Sequence, residues 1–127
     1  MFSKKVNKID TRIDTLVSPD TVIKGDVAFA GGLRIDGSVK GNVQEQEGTQ
    51  GTIIVGESGR IEGTVTATKI VLIGSVTGPV FAREFIELQT KARITGDLHY
   101  KSLEMHMGAV IDGKLVHTEN NEPDMSI

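Results

Sequence analysis

The stretch LRIDGSVKGNV, Leu33 to Val43, contains the unit GSVKGNV, and a near copy, GSVTGPV, returns at residues 74–80. Both units belong to a series in which an apolar residue stands two positions before and two positions after a glycine. This phrase occurs six times, centred on Gly25, Gly41, Gly63, Gly78, Gly96 and Gly113. Successive glycines are 16, 22, 15, 18 and 17 residues apart. Self-similarity at such a spacing is typical of a repeat protein.

Short apolar alternations lie between successive phrases, as in Leu33–Ile35, Ile53–Val55 and Ile70–Leu72. Their period of two predicts strands, and the centre of the chain has no helical periodicity. A repeat built only from short strands and bends cannot cover its own apolar side chains. Stacking solves this, because each repeat then forms one turn of a coil whose equivalent strands lie parallel about 4.8 Å apart.

The irregular spacing breaks the strict hexapeptide register of left-handed solenoids and favours the right-handed sense. We therefore predict an all-β, single-domain right-handed β-helix (β-solenoid) of about six turns with flexible tails. Residues 1–18 form the amino-terminal tail, 19–117 the β-helix domain and 118–127 an acidic, disordered tail. The polar segment QEQEGTQ, residues 44–50, lacks a strand pattern and is expected to bulge outward as a loop.

Composition excludes several classes of function. The chain has no cysteine, which excludes disulfides and thiolate chemistry. Residues 19–117 contain ten Lys or Arg against twelve Asp or Glu, which argues against a nucleic-acid-binding face. Apolar runs such as Ile70–Ile73 are too short to cross a bilayer, and the amino terminus lacks a secretion signal, so we expect a cytoplasmic protein.

The phrases RIDGSVKGNV (34–43), GRIEGTV (59–65) and GAVIDGKLV (108–116), together with the opening MFSKK, resemble bactofilins, which are bacterial cytoskeletal proteins. The resemblance implies a three-sided right-handed β-helix that polymerises end to end, without nucleotide, into filaments beneath the cytoplasmic membrane. It also implies a structural protein without a cofactor. Its partners would be further copies of itself, membrane lipids and cell-wall synthesis or remodelling proteins, for which it would act as a scaffold in cell-shape determination.

Both ends of an open solenoid present unpaired strand edges that invite another chain to continue the sheet. No helical cap is evident after Leu115, because the remaining residues are polar, acidic and interrupted by Pro123. We predict a polymerisation interface made of apolar residues in the first and last turns: Val22, Ile23, Val27, Val110, Ile111 and Leu115.

The first five residues combine an apolar pair, Met1 and Phe2, with two positive charges, Lys4 and Lys5. Such a segment can insert its apolar side chains at an anionic lipid surface while the lysines contact headgroups. One copy would bind weakly, but many copies in a polymer would bind together. We therefore predict a membrane-targeting segment here. The apolar residues between Val6 and Val17 have helix-like spacing, but a disordered linker is favoured.

The three histidines, His99, His106 and His117, fall at different phases of the repeat, so the spacing predicts no metal, catalytic or cofactor site. Two alternatives to a cytoskeletal polymer stay open. One is a trimeric enzyme similar to the left-handed solenoid acyltransferases, and the other is a monomeric β-solenoid that binds a partner through one flat face. Strict six-residue register and a helical tail would favour the enzyme, and neither is present in the sequence.

Overall fold

The computed structural model describes residues 12–119 as strands joined by turns and bends, with no helix in that range. The strands, numbered in chain order, are β1 Thr15–Val17, β2 Val22–Lys24, β3 Val27–Phe29, β4 Gly32–Ile35, β5 Ser38–Lys40, β6 Val43–Glu45, β7 Thr52–Val55, β8 Arg60–Glu62, β9 Val65–Leu72, β10 Ser75–Thr77, β11 Val80–Leu88, β12 Arg93–Thr95, β13 Leu98–Tyr100, β14 Ser102–Met105, β15 Val110–Asp112 and β16 Leu115–His117. None of the described residues forms a helix long and apolar enough to cross a membrane.

The strands stack into three parallel faces. Face 1 contains β1, β4, β7, the second halves of β9 and β11, and β14. Face 2 contains β2, β5, β8, β10, β12 and β15. Face 3 contains β3, β6, the first halves of β9 and β11, β13 and β16. The chain visits the faces in this order six times, which makes a three-sided solenoid of six turns.

The core is a set of columns of apolar side chains that run the length of the solenoid. On face 2 the register aligns one inward residue from every turn: Ile23, Val39, Ile61, Val76, Ile94 and Ile111. The four central members are at most 2% exposed. Fully burying a side chain of this kind contributes about 1.5–3 kcal/mol, so these columns are the main source of stability.

The corner between faces 2 and 3 explains why the glycine phrase recurs. A Cβ atom on Gly41, Gly63 or Gly78 would overlap the carbonyl oxygen of the corner glycine one turn earlier. At Gly25 a Cβ would meet nothing within 4 Å, because this glycine belongs to the first turn of the part of the chain that the structure describes. Close stacking of successive corners therefore requires glycine, in addition to the bend that the sequence predicts.

The all-β class and the solenoid of about six turns are confirmed, while the bounds of two local predictions are wrong. The first strand, β1, lies ahead of residue 19, and its residues Leu16 and Val17 belong to the solenoid rather than to a disordered linker. The second is the loop, since Gln44 and Glu45 extend β6 and only the following residues leave the strand. Glu45 is 2% exposed because its side chain points inward. The right-handed sense stays a prediction.

Candidate polymerisation interface

Each terminal turn has strands with one free edge. At the amino-terminal end β1, β2 and β3 pair only with β4, β5 and β6 of the second turn. At the other end β14, β15 and β16 pair only with β11, β12 and β13. Within residues 12–119 these six strands therefore present backbone N–H and C=O groups that lack a partner strand on one side. Such edges can add another chain.

The exposed apolar surface is concentrated at the same two places. Among the described residues, the large apolar side chains that are exposed all lie at the first or the last turn: Ile13, Leu16, Val22, Met105, Met107, Val110 and Leu115. The four turns between them contribute none. An apolar patch confined to the ends of a rod is the surface expected for contacts along the rod axis.

The amino-terminal half of the predicted interface consists of Val22, Ile23 and Val27. Ile23 and Val27 are the first members of inward columns on faces 2 and 3, and both are only partly buried. Val22 is 54% exposed. It aligns with Ser38 of the next turn and therefore faces outward on the same end strand.

The residues of the carboxyl-terminal half of the predicted interface are exposed in the same way. Ile111 and Leu115 end the corresponding inward columns, and Leu115 is 50% exposed. Val110 is 39% exposed and faces outward beside Ile111. The two predicted groups therefore lie at opposite ends of one subunit. They can meet only between two copies, and their role in assembly stays a prediction.

Sequence reasoning missed several apolar residues at these ends. Leu16 lies on β1, within the segment that the sequence predicts to be a tail. Met105 is the last residue of β14, the final strand of face 1. Met107, in the turn that follows β14, is 92% exposed. The alternation of Leu103 and Met105 marks a strand in the sequence. Because this strand is the last one of its kind along the chain, its apolar residues could have been predicted to reach the end of the solenoid, which would have added Met105 to the interface.

Side-chain to backbone hydrogen bonds at the corner between faces 2 and 3 link some of the successive turns, and Lys114 makes the last of them. The Asp26 carboxylate accepts a hydrogen bond from the Asn42 backbone N–H, and the Asp97 carboxylate accepts one from the Lys114 N–H. Lys114 occupies this position in the last turn, and its ammonium group cannot accept such a bond. The Lys114 side chain therefore cannot bond in this way to a backbone N–H of a further copy.

Two further groups of residues were singled out in the sequence, the membrane-targeting segment and the histidines. Met1, Phe2, Lys4 and Lys5 lie outside the described residues. His99 stacks on Phe81, with ring centroids 4.5 Å apart. The His117 Nε2 lies 3.0 Å from the Lys101 carbonyl oxygen, a hydrogen bond at the last turn.

Comparison with known proteins assigns this solenoid to a class. A family model described as "Polymer-forming cytoskeletal", that of the bactofilins, matches residues 15–116. The class is therefore that of polymer-forming cytoskeletal proteins, and the chain belongs to the bactofilin family. The resemblance seen in the sequence is confirmed.

Two curated relatives come from Myxococcus xanthus (strain DK1622). Bactofilin BacO is 28% identical over 102 residues, which cover 80% of this chain and 78% of BacO. Bactofilin BacP is 28% identical over 116 residues, which cover 91% of this chain and 47% of BacP. The chain thus spans most of BacO and about half of the length of BacP.

Two solved structures share the fold. One is a cryo-EM reconstruction of bactofilin double helical filaments from Thermus thermophilus, with 35% identity and a TM-score of 0.71, covering 82% of this chain and 99% of that one. The other is the atomic structure of the cytoskeletal bactofilin BacA from solid-state NMR, with 34% identity and a TM-score of 0.71, covering 82% and 95%. The Thermus thermophilus bactofilin therefore forms filaments from subunits of this fold.

Proposed function

We propose that this chain is a cytoskeletal scaffold that assembles end to end through its first and last turns. The observation that carries the proposal is the distribution of exposed large apolar side chains, which within residues 12–119 occur only at the two ends. The free strand edges of the terminal turns lie in the same places. Burying both together would extend the sheets and the core columns from one subunit into the next.

Assembly of this kind needs no nucleotide, because the driving force is burial of apolar surface that every subunit already presents. The proposed polymer lies on the cytoplasmic face of the membrane, where Met1, Phe2, Lys4 and Lys5 bind anionic lipid. Many weak anchors along one filament would act together. There it would organise cell-wall synthesis or remodelling proteins and contribute to cell shape, as the resemblance to bactofilins implies.

The proposed role is structural rather than enzymatic. The rival acyltransferase-like trimer requires the hexapeptide register of left-handed solenoids. Equivalent residues in neighbouring turns are instead 15 to 22 residues apart, as Ile61 and Val76 or Val39 and Ile61 show. The family assignment to polymer-forming proteins supports the same choice.

The test is direct imaging of the purified full chain in nucleotide-free buffer by negative-stain microscopy, with sedimentation velocity over a range of concentrations. We expect filaments whose formation is unchanged by added ATP or GTP. A compact particle that stays monomeric or trimeric at high concentration would contradict the proposal. Assembly that appears only with nucleotide would contradict its nucleotide-independent part.

A further inference from the structure

The strand register brings two carboxylates and one imidazole together on the outside of face 1. Glu87 of β11 and Glu104 of β14 are aligned partners in the fifth and sixth turns. His106 follows directly after β14, and its Nε2 lies 2.9 Å from Glu87 Oε2 and 3.2 Å from Glu104 Oε2. One ligand atom from each of the three residues lies within 4.8 Å of the others.

This cluster combines unfavourable and favourable contacts. Two carboxylates on aligned positions of neighbouring strands repel each other. The His106 Nε2 can carry only one hydrogen, so it cannot donate a full hydrogen bond to both carboxylates at once. A divalent cation would interact with the imidazole lone pair and with both carboxylates together, and would also cancel their repulsion.

We propose that Glu87, Glu104 and His106 bind one divalent transition-metal ion of the zinc class. The donor set decides the class of ion. Carboxylates alone suit Mg²⁺ or Ca²⁺, whereas an imidazole beside them suits zinc, nickel or copper. Three protein ligands and an open position are also the pattern of zinc sites that keep an exchangeable ligand.

The geometry needs only small side-chain rotations to accept the ion. Zinc binds nitrogen and carboxylate oxygen at about 2.0–2.2 Å, which places tetrahedral ligand atoms about 3.4 Å apart. The His106 contacts of 2.9 and 3.2 Å are slightly shorter, and the spread of the cluster reaches at most 4.8 Å. The side chains are 41% exposed for His106, 21% for Glu87 and 56% for Glu104, so an ion can enter from solvent. Water would complete its coordination.

The ion would tie the last turn to the one before it. His106 is already fixed through its backbone, since its N–H donates to the Leu88 carbonyl at 2.9 Å and its carbonyl accepts from the Ala109 N–H at 3.2 Å. Metal binding would add a side-chain link between β11 and β14 beside the exposed Met105 and Met107. The ion would therefore order the carboxyl-terminal end of the solenoid. The binding itself does not depend on the proposed assembly.

The test is isothermal titration of ZnCl₂ into the full chain after removal of bound metal with EDTA and exchange into chelator-free buffer. We expect saturable binding of one ion per chain. His106→Gln and Glu104→Gln should abolish it, while the control His117→Gln, in the same turn but outside the cluster, should keep it. Circular dichroism checks that each variant is folded, and Glu104, as the most exposed ligand, supplies a second variant if His106→Gln is not folded.

A second readout follows thermal unfolding. Because a ligand that binds the folded state raises its stability, zinc should raise the Tm of the wild-type chain and of His117→Gln, and EDTA should reverse the effect. His106→Gln should show no rise. The proposal is wrong if the wild-type chain shows no saturable binding, if His106→Gln and Glu104→Gln bind as the wild type does, or if His117→Gln loses the ion as well.

Discussion

Ile23 and Ile111 are the first and the last members of one inward column on face 2, so each has a stacked neighbour on one side only. Val39 and Ile94, the next members inward, are fully buried. Ile23 and Ile111 themselves are partly buried. Within residues 12–119 this column thus runs from the first turn to the last without a polar residue, and a second copy can extend it by supplying the missing neighbour.

A charge at the carboxyl-terminal end should block this extension. Leu115→Arg and Ile111→Arg place a guanidinium group where an apolar contact between copies is proposed, and burying an unpaired charge is strongly unfavourable. In a free subunit an arginine at either position can extend its guanidinium group into water past the open end of the column, so the fold should persist. We expect small oligomers in sedimentation velocity and no filaments by microscopy.

The control for these variants is Thr77→Arg, an exposed position on face 2 in the fourth turn, away from both ends. It adds the same charge and should leave filaments unchanged. If Leu115→Arg and Ile111→Arg assemble as well as the wild type, the end residues named here do not form the interface.

Glycine stacking at the corner between faces 2 and 3 gives a second prediction. Gly78 has φ of 141°, and a Cβ there would overlap the Gly63 carbonyl oxygen. Gly48, in the loop after β6, has φ of 83° but nothing within 4 Å of its Cβ position. Gly48→Ala should therefore cost only backbone strain, about 1–2 kcal/mol. Gly78→Ala must also separate two turns and should cost clearly more.

Urea denaturation of both variants in the Leu115→Arg background measures the two costs without a contribution from assembly. Equal free energies of unfolding for Gly48→Ala and Gly78→Ala would show that corner stacking does not determine the need for glycine.

The glycine series also shows how far the sequence predicts this fold. Period-two alternation and recurring glycines identify strands, bends and the number of turns, because every turn repeats the same local pattern. They do not identify which carbonyl lies under each glycine, since that depends on stacking between turns. The first strand was missed because Thr15 occupies the inward position that Leu33 fills in the next turn, which removes the apolar alternation.

The candidate sites depend on contacts between turns in the same way. The apolar phrases at both termini of the repeat series predict which residues reach the ends of the solenoid. The group of Glu87, Glu104 and His106 could not be predicted, because Glu87 is 19 residues from His106 and only the strand register aligns them. The buried position of Glu45 was missed because one polar residue within a polar segment gives no sign that its side chain points inward.

Glu45 should be the most sensitive polar residue of the core. Its Oε1 accepts hydrogen bonds from the Gly51 N–H at 2.8 Å, the Thr68 N–H at 2.8 Å and the Thr68 hydroxyl at 2.9 Å. The Arg83 guanidinium lies 3.3 Å from Oε2. Glu45→Ala leaves these buried donors without an acceptor, at about 1–3 kcal/mol for each group.

We expect Glu45→Ala to lower the free energy of unfolding by about 2–5 kcal/mol, because three donors that bond to one buried carboxylate oxygen lose their acceptor together. Cleavage by proteases should increase in the loop of residues 46–51, which the Gly51 contact helps to hold. The comparison variant Arg83→Met removes only the half-exposed partner and should cost less. A Glu45→Ala protein as stable and as protease-resistant as Arg83→Met would refute the assignment of Glu45 as the anchor of this loop.

Removing the first five residues tests the membrane segment. Deletion of Met1–Lys5 should release polymers from vesicles that contain anionic lipid, because it removes both the apolar pair and the two lysines. Filament formation should be unchanged, since the deletion leaves every strand from β1 to β16 in the chain. Co-sedimentation with anionic and with neutral vesicles measures the effect, and Lys4→Gln with Lys5→Gln separates the charge from the apolar part. Unchanged binding of the deleted protein to anionic vesicles would exclude the anchor.

An ion pair between the third and fifth turns should make the stability of the solenoid depend on pH. The Lys91 Nζ donates a hydrogen bond of 2.8 Å to Glu57 Oε2. The pair reaches across the fourth turn because the corner there consists of only Ile73 and Gly74. The hydrogen bond and the positive charge of Lys91 lower the pKa of the Glu57 carboxyl from its ordinary value of 4.5, and Glu57 raises the pKa of Lys91 above 10.5.

A carboxyl whose pKa is lower in the folded state contributes stability above its unfolded pKa and loses it as pH falls through the folded value. For Lys91 the contribution is present below pH 10.5 and is lost as pH rises above the folded value. Lys91→Met should therefore lower the Tm at pH 7, and the difference from the wild type should shrink as pH falls below 4.5. The effect should be small because both side chains are exposed.

Lys40→Met, at an exposed position on face 2, is the matched control. A difference for Lys91→Met that stays constant from pH 7 to pH 3, or that Lys40→Met reproduces, would show that this ion pair does not stabilise the solenoid.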